Sequence, residues 1–596
     1  MTKVFSVFPV LLVAVVVTTA VTTSYYSYYS YYDALARSSS FSSSSFSLLF
    51  PSPSRSLSLH DLAVRDFLGL GTRASRSVLD FIALFWLHVK PGGIYHPKEF
   101  IDTYHGHYYI EAVLVIIIAR YMLQSSKRAG GGKEEAPLTE GEVDELCREW
   151  VPEGLVGEVT AFQGRWLGWG LEVVGRGAGG RVDVTYSCTM PDGGNGNTNG
   201  MSTKGRKKKT KSQCVDMTTT DFLEVSQDVS AKTAGQKTLD VIGVGSCGPR
   251  GFYGTVDVHL ALEESLARFL RTEEAILYSY DAATVPSIIP AFANAKDIVV
   301  IDDGCAYAVR LGCQLSRATV VTFRHNDMED LESVLRKVTE DERRKRKPLN
   351  RRFVVVEGVY HHTGDVADLK RIVEIKNRFK FRLLVDESLS IGTLGATGRG
   401  ACEHCGVAPE DVEIVAGSLG HAVGSIGGFC AGAREMVDHQ RLSGLGYCFS
   451  ASLPPFLAST SCAVINEWMD DTVSLRALQK RLRGNGKAFR EAFLARDTSG
   501  RYEVVGDEVS PLLHVRFAED LDLRDAVAVD CQELKLQMAV EQALDQFGVL
   551  FTVAKYSKLD AAYRPKPSIK VALRSSMPEV DVRAAAEALI ESLDAF

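Results

Sequence analysis

At 596 residues the chain is too long for one ordinary domain, and 45% apolar with 24% charged residues excludes a wholly disordered or fibrous protein. A net charge of −7 carries no basic signal for nucleic acid, and twelve cysteines in so long a chain exclude a disulfide scaffold. Cys402-Glu403-His404-Cys405 is a lone CxxC with no second pair at zinc spacing, so no metal site is expected.

Taken in chain order, residues 1–60 form a targeting and low-complexity segment. Lys3 precedes an apolar run from Val4 to Val17, the pattern of a signal-anchor or a weaker targeting leader, and a Ser/Tyr-rich, acid-poor stretch follows. Residues 61–106 contain VLDFIALFWLHV (78–89), too short to span a bilayer but suited to its interface. The run HYYIEAVLVIIIARYMLQ (107–124) is expected to be a transmembrane helix. Eighteen helical residues reach about 27 Å, and Arg120, Lys127 and Arg128 place its C-terminal side in the cytosol. Residues 125–213 read as a linker helix (138–150, capped near Thr139) followed by a disordered insertion with the basic run 204–211.

From about residue 214 short β-rich runs alternate with amphipathic stretches. The pattern predicts strands at 298–302, 319–323, 353–357, 381–386 and 412–416, with helices at 327–338 and 369–379 between them. Alternation of this kind implies an α/β large domain with a mostly parallel sheet over 214–455. Ligands on such sheets bind outside the carboxyl ends of strands, where Asp302, Glu357 and Asp386 fall. A smaller α+β domain, 456–596, opens with a long helical stretch (456–494) and closes with a helix at 579–593.

Three stretches carry a resemblance. They are Leu384-Val385-Asp386-Glu387-Ser388-Leu389-Ser390, the run AGSLGHAVGSIGGF (416–429), and Asp302-Asp303-Gly304-Cys305-Ala306-Tyr307-Ala308. Together they resemble the cofactor region of the α-oxoamine synthases, pyridoxal-phosphate enzymes of fold-type-I aminotransferase architecture that join an amino acid to an acyl-CoA. Such an enzyme needs a lysine to carry the cofactor, a carboxylate at the pyridine nitrogen, a stacking group and a phosphate cup. The resemblance places the carboxylate at Asp386. It also puts His421 where the family has its lysine, Ala306 at the stacking histidine, and Leu389 at a further histidine. Imidazole forms no stable imine with an aldehyde, so no catalytic residue is expected on this chain and any cofactor role of Asp386 is vestigial.

The glycine-dense run Gly243-Val244-Gly245-Ser246-Cys247-Gly248-Pro249-Arg250-Gly251-Phe252-Tyr253-Gly254-Thr255, with Arg324-His325-Asn326-Asp327-Met328 and DHQRLSGLGYCFSASLPP (438–455), is similar to the long-chain-base-1 type of serine palmitoyltransferase subunit. That family implies an obligate, lysine-bearing catalytic subunit that holds pyridoxal 5'-phosphate covalently and condenses L-serine with palmitoyl-CoA. Cys247, Arg250, Ser450 and Ser452 are then the residues expected to contribute to the partner's site. The family further implies small activating subunits, sphingolipid-sensing membrane regulators, and an endoplasmic-reticulum membrane location with the catalytic-fold domain in the cytosol. Two other readings stay open: an autonomous pyridoxal-dependent homodimer, disfavoured by His421, and a regulatory membrane scaffold.

Overall fold

A computed structural model describes residues 139–149, 160–177, 179–188, 207–345, 350–556 and 565–596. The chain divides into two compact units between Gly154 and Leu155. In the first unit the described part is one helix, Glu140–Glu149, close to the span expected from sequence. The segments expected to lie in or on the membrane, 78–89 and 107–124, fall outside the described residues. Among the described residues no helix is long and apolar enough to cross a membrane.

The second unit is built on a seven-stranded sheet in the order β4-β10-β9-β8-β7-β5-β6. Its strands are β4 (Glu274–Tyr278), β5 (Ile298–Asp302), β6 (Thr319–Phe323), β7 (Arg352–Glu357), β8 (Arg382–Asp386), β9 (Ile414–Ser418) and β10 (Gly428–Gly432). Four neighbouring pairs run parallel, and β10 is antiparallel to both β4 and β9. Ile298 to Asp302 are buried throughout, and so are Phe353 to Glu357. Continuous Val/Ile runs of this kind suit strands covered on both faces. The five strands read from sequence all form, displaced by at most two residues at an end.

Two expectations need correction. The stretch 456–494 is two helices, Pro455–Asp470 and Thr472–Arg496, because Asp471 leaves helical geometry and its carboxylate caps Ser474. The basic run is not a disordered insertion at its C-terminal end. Lys207–Asp216 is strand β3, antiparallel to β2 (Arg181–Cys188), which pairs with β1 (Glu172–Arg176). Alternation is what orders it. Val182, Val184 and Tyr186 of β2 face the core. The lysines are neutralised locally: Lys209 Nζ lies 2.7 Å from Asp545, and Lys211 Nζ donates to the carbonyls of Leu544 and Asp545 at a helix C-terminus. The edge of β3 then pairs in parallel with β13 (Val549–Leu550).

A second small sheet follows the order β11-β12-β15-β14, from Tyr502–Val505, Leu512–Phe517, Ile569–Ala572 and Thr552–Val553 respectively.

Loops at the carboxyl ends of the parallel strands are pinned by a buried carboxylate. Asp302 accepts from the Gly304 N–H (2.6 Å), the Asn326 N–H (2.8 Å), the Tyr360 hydroxyl (2.9 Å) and His325 Nδ1 (2.8 Å). His325 Nε2 lies 3.1 Å from Asp365. Burial opposes a charge on His325, but its hydrogen bonds to Asp302 and Asp365 and their negative charges outweigh that and raise its pKa to about 9. The folded value lies above that of the unfolded chain. Its stabilising contribution is therefore complete below pH ~6.5 and is lost as pH rises through about 9. We expect the chemical-denaturation midpoint to fall between pH 7 and pH 10 by an amount on the order of 3 kcal/mol. In His325→Gln that slope should be largely flattened.

Candidate functional site

The ends of β5, β7, β8 and β9 open onto one cleft. Thr220, Ala306, His361, Asp386, Ser388, His421 and Lys570 are all partly exposed there, although most belong to segments otherwise buried. Asp386 ends β8, in register with Glu357 of β7. Burial pushes the Asp386 carboxyl up to about 6, against hydrogen bonds from the Ser388 N–H and hydroxyl. Glu357 is pushed further, to about 8, by complete enclosure and by the charge of Asp386, although the N–H groups of Ala306 (2.6 Å) and His361 (2.8 Å) oppose this.

His421 sits in the turn after β9. Its Nδ1 lies 2.8 Å from Thr220 Oγ1 and its ring stacks on Phe222 at 6.1 Å. Burial, with Lys570 nearby, lowers its pKa to about 4, so the ring is neutral at pH 7. Ser418, at the end of β9, donates its hydroxyl to Asp281 at 3.2 Å.

The opposite wall comes from the small sheet. Lys570 of β15 lies in register with His514 of β12 and Thr552 of β14. Its Nζ is 3.2 Å from His361 Nε2. His514 donates from Nε2 to the His361 carbonyl (3.2 Å), which leaves Nδ1 to accept from Ser568 (2.9 Å). Sequence reasoning singled out neither Lys570, His361 nor His514. The His361-His362 pair, four residues past a strand end, was a usable signal. Lys570 reaches the cleft through cross-strand register and left none.

Tested against a pyridoxal phosphate group, the side chains at the expected positions do not fit. Position 421 presents an imidazole engaged by Thr220, and position 306 offers a methyl group at the start of helix Tyr307–Ser316. Leu389 is buried in the core, and the hydroxyl of Ser418 is taken by the carboxylate of Asp281.

A second feature is the glycine loop. Cys247 (φ 58°) and Tyr253 (φ 57°) both adopt left-handed backbone. Ser452 closes the loop from below: its N–H and hydroxyl both donate to the Gly248 carbonyl, at 3.0 and 2.9 Å. A Cβ on Gly254 would lie 2.0 Å from that carbonyl oxygen, so only glycine permits the approach. Arg250 forms two parallel bonds to Glu263 (2.9 and 3.0 Å), and its guanidinium lies 5.5 Å from the centre of the Tyr447 ring. Glu263 also accepts the Leu277 N–H of β4 (3.0 Å).

Of the four residues expected to contribute to a partner's site, Arg250 and Ser452 have side chains turned into this chain's own interior. Both are buried, and they hold the loop from inside. Cys247 is exposed and Ser450 half-buried, so both remain at the surface. Around them Val244, Phe252, Tyr253, Leu442, Leu445 and Phe449 are exposed, Tyr253 fully and Phe449 to 83%.

The family described as aminotransferase class I and II matches residues 212–589. The chain is 35% identical over 505 residues to serine palmitoyltransferase 1 of Dictyostelium discoideum, covering 85% of this chain and 97% of that one. It is 34% identical over 484 residues to long chain base biosynthesis protein 1 of Arabidopsis thaliana, covering 81% and 90%. Among solved structures, serine palmitoyltransferase of Sphingomonas wittichii superposes with a TM-score of 0.55 at 25% identity, over 65% of this chain and 88% of that one.

Removing either partner of the Arg250–Glu263 pair strands a buried charge. Arg250→Ala or Glu263→Ala is expected to cost about 3–5 kcal/mol, read as a fall in the denaturation midpoint, and to make the 243–255 loop sensitive to limited proteolysis. The double variant Arg250→Met with Glu263→Leu should recover much of the loss.

Proposed function

The chain belongs to the aminotransferase class I and II family and, within it, to the serine palmitoyltransferase 1 and long chain base biosynthesis protein 1 group; from that premise we propose that it is the non-catalytic subunit of a serine palmitoyltransferase. It pairs with a lysine-bearing subunit that holds pyridoxal 5'-phosphate. The assembly condenses L-serine with palmitoyl-CoA, releasing CO2 and CoA and giving 3-ketodihydrosphingosine, the first step of sphingolipid synthesis. The endoplasmic-reticulum membrane, reached through residues 107–124, and further small activating or lipid-sensing subunits belong to the same reading.

One observation carries it. The chain keeps a rigidly braced loop with an exposed apolar crown, while the position expected to carry the cofactor holds a hydrogen-bonded imidazole. A loop that exposes Phe252, Tyr253 and Phe449 exceeds what a lone soluble surface needs, and aromatic anchors of this kind dominate interface energetics. In this reading the chain's own residues act on the partner's site by shape. The backbone around Cys247 and the hydroxyl of Ser450 complete its wall and exclude water.

The chain and a lysine-bearing partner, expressed separately and together, should release CoA in a serine-dependent manner only together. Activity from this chain alone would sink the proposal. Tyr253→Asp combined with Phe449→Asp should weaken association by up to about a thousandfold, since each buried aromatic anchor is worth roughly 2 kcal/mol. Monomer stability should stay within about 0.5 kcal/mol. Cys247→Trp should lower the activity of the assembled enzyme. Unchanged activity would remove Cys247 from the partner-facing surface.

A further inference from the structure

Lys570 is placed unlike the other described lysines. It lies on β15, between β12 and β14 of the small sheet, so that His514, Lys570 and Thr552 form one cross-strand row at the wall of the cleft. Most other lysines are exposed or paired with carboxylates or carbonyls, as Lys209, Lys211 and Lys376 are. Among the described residues no carboxylate forms an ion pair with Lys570. Among the described residues its side chain has one polar contact, the ring nitrogen of His361 at 3.2 Å.

Histidines gather beside it, while the carboxyl of Asp386 opens onto the same cleft without pairing with it. His361 and His362 come from the loop after β7, His421 from the turn after β9, and His514 and Arg516 from β12. An ammonium ion is therefore held without an ion-paired carboxylate among the described residues, 3.2 Å from an imidazole nitrogen that can relay its proton towards solvent. The partly exposed hydroxyl residues Thr220 and Ser388 belong to the same cleft.

We propose that the Lys570 ε-amine is a carbonyl-reactive nucleophile that captures small aldehydes entering this cleft as an imine. One ammonium proton leaves to solvent by way of His361 Nε2, and the amine lone pair attacks the carbonyl carbon. The attacking nitrogen gives up one proton as the former carbonyl oxygen gains one, which leaves the neutral carbinolamine. Loss of water, its oxygen being the former carbonyl oxygen, leaves the C=N bond. The step is a condensation and needs no oxidant or reductant. Burial supports it by holding the Lys570 pKa down to about 8, so that roughly a tenth of the amine is unprotonated at pH 7, against about one part in two thousand for an ordinary exposed lysine. The capture stands apart from the partner-dependent condensation proposed above, and it concerns a residue outside the positions that fail to fit the pyridoxal group.

The test uses the full-length chain in its native assembly, exposed to 4-nitrobenzaldehyde at pH 7 and trapped with cyanoborohydride, with sites and rates read by peptide mass mapping. Lys570 should be modified at least about tenfold faster than the mean exposed lysine, with a rate that rises through pH ~8 and levels above it. His361→Gln should slow modification of Lys570 and leave the other lysines unchanged. Lys570→Arg should remove the fast site while the melting temperature stays near that of the parent. Modification of Lys570 at or below the rate of exposed lysines in the parent protein would overturn the proposal, whatever the variants do.

Discussion

The ion pair between Arg250 and Glu263 is the contact on which the outward face of this molecule depends. One carboxylate joins three elements that would otherwise only touch: the glycine loop through the guanidinium, the helix Asp257–Leu270 that carries Glu263 itself, and β4 through the Leu277 N–H. Isolated, such a buried pair adds little net stability, because desolvation cancels much of the attraction. Its value here is geometric. With Thr255 bridging to Arg250 and Ser452 gripping Gly248, the loop has few ways to relax, and its aromatic side chains are displayed rather than collapsed onto the core.

The cleft shows a complementary logic. Three acids end three adjacent strands, and each is silenced differently. Asp302 is charged and answered by His325, Glu357 is enclosed and bound by two backbone N–H groups, and Asp386 is folded back onto its own Ser388. The imidazoles opposite are held below their ordinary pKa, His421 and His514 chiefly by burial and His361 chiefly by the charge of Lys570 beside it. A cleft arranged in this way retains the shape of a ligand site while its charges are satisfied mostly from within.

Much of the large sheet was legible because parallel strands buried on both faces leave unbroken Val/Ile runs, as in Ile298–Asp302 and Arg352–Glu357. His421 and Asp386, read as parts of one cofactor-like region, both fall at or just past strand ends of the large sheet. Side-chain direction was less legible. Arg250 and Ser452 belong to the expected surface run but turn inward, a choice made by Glu263 and Gly248 from elsewhere in the chain. The lysine run was misjudged because its order comes from pairing with the alternating strand β2, and Asp545, which pairs with Lys209, lies 336 residues away. Lys570 was invisible for the same reason, since its neighbours His514 and Thr552 are set by strand register alone.

The parallel pairing of β13 with β3 has a consequence for biosynthesis. Val215 and Asp216 find their partners in Val549 and Leu550, so the edge of β3 stays open until almost the whole chain has left the ribosome. Throughout that interval a ribbon with Val173 and Val174 on its other, exposed edge presents unpaired backbone to its surroundings. The run of lysines along β3 then does a job before folding is complete. Lysines along an open edge disfavour edge-to-edge pairing by mutual repulsion, and Asp545 offsets one of those charges, that of Lys209, once the late segment is in place.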